Sequence, residues 1–269
     1  MPQSYKIAAN DANGFDRAKL NKQGKLKNDY YQERLRLLQI ELIKLQRWLF
    51  DGKSRLIAVI EGGELTGKSG AIQTFCERLD ASILRVARRQ NAQNGKWYFA
   101  NFVSKLPRKG EIAIFDRGWY RKATLERAIK SCDDEEYEKY IHQISLFERA
   151  LAEEGFRIYK YMLTISKEEL SARLEKQKND PLDRLLLTEI ELKSPKLYDE
   201  YARAEAEALS RTHSPYAPWF EVNCDDKRLA RLGVLSHLLG EIDYKGKDRK
   251  AIGEFGSQIA KSYVPKVKY

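Results

Sequence analysis

Leucines recur at alternating steps of three and four from Leu35 through Leu38, Leu42 and Leu45 to Leu49, and Leu37, Ile40 and Ile43 widen the stripe. That spacing puts them on one face of a helix, expected to start near Asp29, to end at Asp51-Gly52 and to turn its apolar side to a core. A partner helix in an oligomer is the alternative reading of the same stripe. The period then changes. Arg55 to Glu61 is a short apolar run of the kind that forms a strand buried on both faces. A glycine-rich stretch follows, and after it a helix to about Leu79. Ser82 to Ala87, Glu111 to Asp116 and Arg157 to Ser166 are further strand-like runs, and Phe220 to Val222 is a short late one. Trp97 to Ser104 reads as a helix with an aromatic face, and Asp133 to Glu154 as a helix with an acidic first turn. Lys167 to Lys178 starts a helix that stops near Asp180-Pro181, and Asp226 to Gly240 closes the pattern as another helix. Strands alternating with helices predict an α/β fold, a mostly parallel sheet covered on both faces.

The chain has 269 residues, enough for one large domain. The net charge is +10, which favours polyanionic partners: nucleic acid, an anionic membrane surface or a phosphate polymer. Part of the excess lies near the ends, at Lys19, Lys22, Lys25, Lys27, Lys247, Arg249, Lys250, Lys261, Lys266 and Lys268, where solvated tails would account for it. No helix-turn-helix or RNA-binding aromatic motif is present, so no specific nucleic acid is expected. No apolar run reaches the length of about 18 residues that a membrane span needs, and Met1 to Lys27 is too polar for a secretory signal. A cytoplasmic protein without a membrane partner is expected. Cys76, Cys132 and Cys224 have neither metal nor disulfide spacing, so three reduced, mostly buried thiols are expected.

The glycine-rich stretch carries the chemistry. Gly62 and Gly67 with Lys68-Ser69 match the Walker A pattern G-x-x-x-x-G-K-[ST]. Glycines let backbone N–H groups converge on phosphate oxygens, and the following helix adds its positive end. Gly63, Thr66, Gly67, Lys68 and Ser69 are the expected phosphate cradle, with Ser69 also able to reach magnesium. The apolar run ending at Asp116 fits a Walker B strand, whose carboxylate faces the crevice where ligands bind in parallel sheets.

These residues resemble the family-2 polyphosphate kinases. The family's motifs E-G-x-D-A-A-G-K, W-Y-F, F-D-R-S-W-Y-N-R, D-P-L-K-R-W-K and T-x-x-P-W-x-P-W have counterparts here in the same order. They are Glu61-Gly-Gly-Glu-Leu-Thr-Gly-Lys68, Trp97-Tyr-Phe99, Phe115-Asp-Arg-Gly-Trp-Tyr-Arg-Lys122, Asp180-Pro-Leu-Asp-Arg-Leu-Leu186 and Thr212-His-Ser-Pro-Tyr-Ala-Pro-Trp219. Asp225-Asp-Lys-Arg228 resembles the family's closing segment.

The resemblance implies a P-loop kinase-like three-layer sandwich with a helical lid. It implies phosphoryl transfer between polyphosphate and a nucleotide (ADP or GDP, AMP or GMP) with Mg2+, or Mn2+ in its place. Lys68 is then expected to hold phosphates, Asp116 a metal, and Arg117 to face the phosphates; Glu64 stands where the family has an aspartate that binds metal and orients the acceptor. Catalysis would rest on Glu64, Lys68, Asp116 and Arg117, the metal on Glu64, Asp116 and Ser69. Arg121, Lys122, Arg173, Lys176 and Arg184 are further expected phosphate contacts, with Lys178 another polyanion contact in the lid. The expected organisation is a flexible basic arm over 1–27, a phosphotransferase domain over 28–245 with its lid at about 173–200, and a basic tail over 246–269. A homo-oligomer, dimer or tetramer, is expected.

Five departures bear on the chemistry. Glu64 replaces aspartate and extends the carboxylate by one methylene, about 1.5 Å. Gly118 replaces serine, Arg121-Lys122 replaces Asn-Arg, and Leu185 and Leu186 replace tryptophan and lysine in the lid. The stretch Ala87 to Gly95 also differs, lacking the family's proline-containing pattern. Two other functions therefore stand beside an active kinase: a polyphosphate-binding member with impaired or no catalysis, and an ATP-dependent small-molecule kinase on the same fold.

Overall fold

The leucine stripe becomes the buried face of α1 (Asn28–Gly52), where Leu38, Leu42, Leu45 and Leu49 have no exposed surface. Burying a leucine completely contributes roughly 1.5–3 kcal/mol, so this face alone anchors the helix. A computed structural model describes residues 19–87, 97–253 and 260–263. After α1 come β1 (Arg55–Gly62), α2 (Lys68–Cys76), β2 (Leu84–Ala87), α3 (Ala100–Val103) and β3 (Ile112–Asp116). A π-helical turn (Lys122–Glu126) leads to α4 (Asp134–Glu153), β4 (Phe156–Thr164) and α5 (Lys167–Asn179). The short α6 (Pro181–Leu186) and α7 (Glu189–Lys193) precede α8 (Tyr198–Thr212), β5 (Trp219–Asn223) and α9 (Lys227–Glu241). The chain closes with α10 (Arg249–Ile252) and β6 (Ala260–Ser262).

The strands form one six-stranded sheet in the order β2-β3-β1-β4-β5-β6; the first five are parallel and β6 is antiparallel to β5. The alternation of side chains along β1 divides the core into two layers. Leu56, Ala58 and Ile60 pack with α1, α2 and α9 on one face; Ile57 and Val59 pack with Phe99, Phe102, Trp119, Tyr140 and Ile144 on the other. The expected three-layer α/β architecture is thus present. β1 lies between β3 and β4, with Ile60 opposite Asp116 and Gly62 opposite Leu163. The P-loop therefore leaves the carboxyl edge of the sheet beside the end of β3.

A buried ion pair fixes the second layer. Lys160 of β4 and Glu148 of α4 meet at 2.7 Å with essentially no exposure. Lys160 also donates to the Tyr120 hydroxyl and the Thr212 carbonyl, while Trp119 Nε1 and the Tyr120 hydroxyl donate to Glu148. Removing one partner of such a pair would leave a buried charge uncompensated, at about 3–5 kcal/mol. The network ties α8 to the sheet through its last residue.

The structure departs from the sequence expectations in four places. Residues 19–27, assigned to a flexible arm, are packed: Leu20 and Leu26 bridge, Leu26 is fully buried and its N–H donates to Asp226, and Lys25 pairs with Glu169 at 3.0 Å. The tail over 246–269 supplies α10 and the sixth strand, so part of it belongs to the core. The helix expected over 97–104 shrinks to Ala100–Val103, because Trp97, Tyr98 and Phe99 pack against Tyr140 and Phe147 and fix the backbone before it. The segment expected as the lid, about 173–200, starts buried at Arg173 and Leu174; its exposed part is α6, with Leu182, Leu185 and Leu186 open to solvent. Residues 1–18, the basic stretch over 88–95, and Lys266 and Lys268 lie outside the described residues.

Candidate active site

Backbone geometry forms the loop after β1. Gly62 has φ +139°, and a Cβ there would overlap the Leu163 carbonyl oxygen, so only glycine fits. Gly67 (φ 99°) turns the chain into α2, whose first residues are Lys68 and Ser69. Leu65 is left-handed at φ 60°, an uncommon state for a branched side chain, and Arg117 at φ 59° mirrors it across the site. Arg173 holds the Leu65 turn from behind. Its guanidinium donates to the carbonyls of Leu65 (2.9 Å), Thr66 (3.3 Å), Cys224 and Asp225 (3.3 Å), and to Glu169 at 2.9 Å. The sequence expectation put Arg173 on phosphate; in the structure its donors go to four backbone carbonyls and Glu169, bracing the loop.

Lys68 is buried and caps its own loop. Its Nζ donates to the Gly62 carbonyl at 2.8 Å and the Gly63 carbonyl at 2.5 Å, and lies 3.5 Å from the Thr66 hydroxyl, which in turn donates to Gly63 at 3.0 Å. Burial pulls its ammonium down to about 8, with Arg117 adding to the effect and Glu64, Asp116 and Glu61 opposing it. Glu64 pairs with Arg117 at 2.7 Å, both mostly buried. Asp116 ends β3, and the Arg117 N–H donates to Ile60 at 3.0 Å, so this carboxylate stands beside the base of the loop.

Two further carboxylates reach the same centre. Neither oxygen of the fully buried Glu61 has a hydrogen-bond partner, and burial pushes its carboxyl up to about 8 against the attraction of Arg117 and Lys68. Glu205 of α8 brings a buried, unpartnered Oε1 against Gly63, and burial lifts its carboxyl to about 7 despite Lys68 and Arg117. Sequence reading missed Glu205 because α8 itself was not foreseen. No motif marks that residue.

The remaining expected contacts divide. Arg121 donates from Nε to Glu126 at 3.1 Å and keeps a buried Nη1 without a partner. Lys122 is drawn to Glu136 and lies over the Tyr140 ring. Lys176 is exposed and lines a cavity of about 450 Å³ with Lys25, Arg173, Lys227 and Arg228, next to the brace. Lys178 pairs with Glu175, and Arg184 is exposed on α6.

Among the described residues no group of three or more His, Cys, Asp and Glu side chains is placed to hold a metal ion by itself. Oxygen donors are nevertheless concentrated here. Asp116 stands beside the loop and Glu64 within it, Ser69 is exposed on the first turn of α2, and both Glu61 oxygens and Glu205 Oε1 lack partners. Magnesium suits such a set, because it takes one or two carboxylates and completes its shell with phosphate oxygens and water.

Comparison with known proteins agrees with this geometry. A sequence profile of the polyphosphate kinase 2 family matches residues 25–250. An ADP-polyphosphate phosphotransferase of Pseudomonas aeruginosa is 37% identical over 225 residues, covering 82% of this chain and 74% of its own length. A GDP-polyphosphate phosphotransferase of Mycobacterium tuberculosis is 34% identical over 231 residues, covering 85% of this chain and 78% of its own. The crystal structure of polyphosphate kinase 2 from Arthrobacter aurescens superposes with a TM-score of 0.75 over 90% of this chain and 89% of that one, at 24% identity, and so shares the fold. With a P-loop at the sheet edge, a carboxylate at the end of the neighbouring strand and these likenesses along most of its length, the chain belongs to the polyphosphate kinase 2 family.

Proposed function

We propose that this protein transfers a phosphoryl group between inorganic polyphosphate and a nucleoside mono- or diphosphate. One observation carries the reading: a buried P-loop lysine, Lys68, lies within the field of Asp116 and of the Arg117–Glu64 pair, itself closed at 2.7 Å. Such transfer needs alignment and neutralisation of charge more than covalent chemistry. The N–H groups from Gly63 to Ser69 and the Lys68 ammonium hold the donor's terminal phosphates. An oxygen of the acceptor's last phosphate attacks the terminal phosphorus, and the bond to the shortened polymer breaks. Arg117 offsets the charge that builds up during the exchange. Asp116, Glu64 and Ser69 would hold magnesium, with manganese as a substitute. When bound, the ion neutralises phosphate charge and fixes the phosphates in line.

An acceptor screen tests this reading. With polyphosphate and magnesium, nucleotide product is expected from at least one of AMP, ADP, GMP and GDP, and none from ATP alone with a small-molecule acceptor. Product from ATP without polyphosphate would select the ATP-dependent kinase instead. Polyphosphate binding without transfer is favoured by one feature, the Glu64 carboxylate held by Arg117. Glu64→Asp separates the two: a site shaped for the longer side chain loses rate, whereas a decayed site gains it, a 1 Å displacement being worth about a hundredfold. The same reading places the protein in the cytoplasm as a homo-oligomer. No helix of the described residues is long and apolar enough to cross a membrane, and light scattering would read the assembly.

A further inference from the structure

Arg117 and Arg121 are built alike. Each spends one edge of its guanidinium on a carboxylate, Arg117 Nη2 on Glu64 at 2.7 Å and Arg121 Nε on Glu126 at 3.1 Å. Each leaves Nη1 buried without a hydrogen-bond partner. The Arg117 side chain is 7% exposed and that of Arg121 15%. A third buried donor without a partner, the Tyr201 hydroxyl of α8, lies where both guanidinium charges act on it. A buried unpaired donor is costly, and three so linked, with both guanidinium charges acting on the Tyr201 hydroxyl, call for a ligand that completes them. All three are donors, and guanidinium forks match phosphate oxygens, so the ligand is a phosphate-bearing anion.

The backbone fixes Arg121 for this role. The turn that follows it is π-helical, and the Glu126 N–H donates to the Arg121 carbonyl at 3.0 Å. That extra residue in the turn brings the Glu126 carboxylate under Arg121 Nε and locks the fork before any ligand arrives. Arg117 stands beside Glu64 and within the field of Lys68, where the reacting phosphate must lie. Arg121 is four residues further along, and its charge acts with that of Arg117 on the Tyr201 hydroxyl.

We infer that Arg121 sets the acceptor class: its free edge binds the inner phosphate of a nucleoside diphosphate while Arg117 takes the terminal one. This rests on the phosphotransferase reading above. A monophosphate has one phosphate for two buried edges and leaves Arg121 unsatisfied. Losing one charge-assisted hydrogen bond corresponds to a preference on the order of ten- to a hundredfold for diphosphate over monophosphate.

The test compares ADP with AMP, and GDP with GMP, in wild type, Arg121→Gln and Arg121→Lys. Turnover is measured with polyphosphate and magnesium, and nucleotide affinity by calorimetry without polyphosphate. Wild type should prefer diphosphates by that factor. Arg121→Gln should bring the ratio to within about threefold, mainly by raising KM for the diphosphate, with monophosphate constants little changed. Arg121→Lys should restore part of the preference. A double variant, Arg121→Gln with Glu126→Gln, removes the carboxylate left unpaired and guards against a simple folding defect. An unchanged ratio in Arg121→Gln, or a wild type that favours monophosphates, overturns the inference. A wild type that transfers to no nucleotide yet binds ADP over AMP through Arg121 overturns the kinase reading and keeps this one.

Discussion

Glu61 gives the sharpest stability test, because it is a buried acid with both oxygens unpartnered directly beneath the phosphate loop. Burial raises its carboxyl from 4.5 to about 8. Below the lower value it is neutral in the folded and the unfolded chain, and its burial carries no charge penalty. Between the two values the folded protein keeps a proton that the unfolded chain gives up, so stability falls as pH rises. Above about 8 the penalty is complete. Each pH decade is worth about 1.4 kcal/mol, so the three and a half decades amount to on the order of 5 kcal/mol, reduced where water penetrates. Glu61→Gln cannot ionise and should escape this loss. Urea unfolding of both proteins, free of metal and phosphate, from about pH 5 to about pH 8.5 reads the difference. The variant's advantage should grow across that range by on the order of 2–5 kcal/mol. Glu205 titrates near 7 in both proteins and largely cancels in the comparison. An advantage that stays constant with pH would refute the reasoning and mean that Glu61 is solvated or paired in solution.

The other predictions concern the loop itself. Lys68→Ala should abolish transfer and weaken polyphosphate binding at least tenfold, by loss of a charge-assisted contact. In wild type, polyphosphate affinity should fall as pH rises through about 8, where the Lys68 ammonium loses its proton, and Lys68→Arg should flatten that profile. Arg173→Ala should lower the thermal midpoint and cut transfer tenfold or more, because the Leu65 turn loses its brace. The salt dependence of polyphosphate binding should keep its slope in that variant if the Arg173 donors stay on the loop carbonyls and Glu169 when polyphosphate binds. A reduced slope, read by titration at several ionic strengths, would return Arg173 to the ligand.

The phosphate loop was legible because glycine at a fixed spacing before Lys68-Ser69 has few uses other than a tight anion-binding turn, and the apolar runs of β1 and β3 declared the strands on either side. α8 was not legible. Its buried face is made of Tyr201, Ala204, Ala208, Leu209 and Thr212, which keep helical spacing but include a single large aliphatic side chain, so the stripe is faint. Its place is set by partners distant in sequence, the Thr212 carbonyl on Lys160 and the packing against the π-helical turn. β6 was hidden for a related reason: Ala260-Lys-Ser262 alternates too little to read as a strand, and backbone pairing with β5 makes it one.

The same limit separates the two kinds of arginine in the site. From sequence, Arg117, Arg121 and Arg173 are three cations near phosphate motifs, and nothing in their spacing ranks them. Hydrogen-bond accounting in three dimensions does. Arg173 meets four carbonyls and a carboxylate, so its energy goes into holding Leu65 in a left-handed turn. Arg117 and Arg121 each meet one carboxylate and bury an unused N–H. An unsatisfied buried donor costs about 1–3 kcal/mol in the empty protein, and a bound phosphate recovers it. On the proposed function, the stability forgone at those two positions would become affinity for the acceptor, whereas the contacts made by Arg173 hold the loop in its left-handed turn.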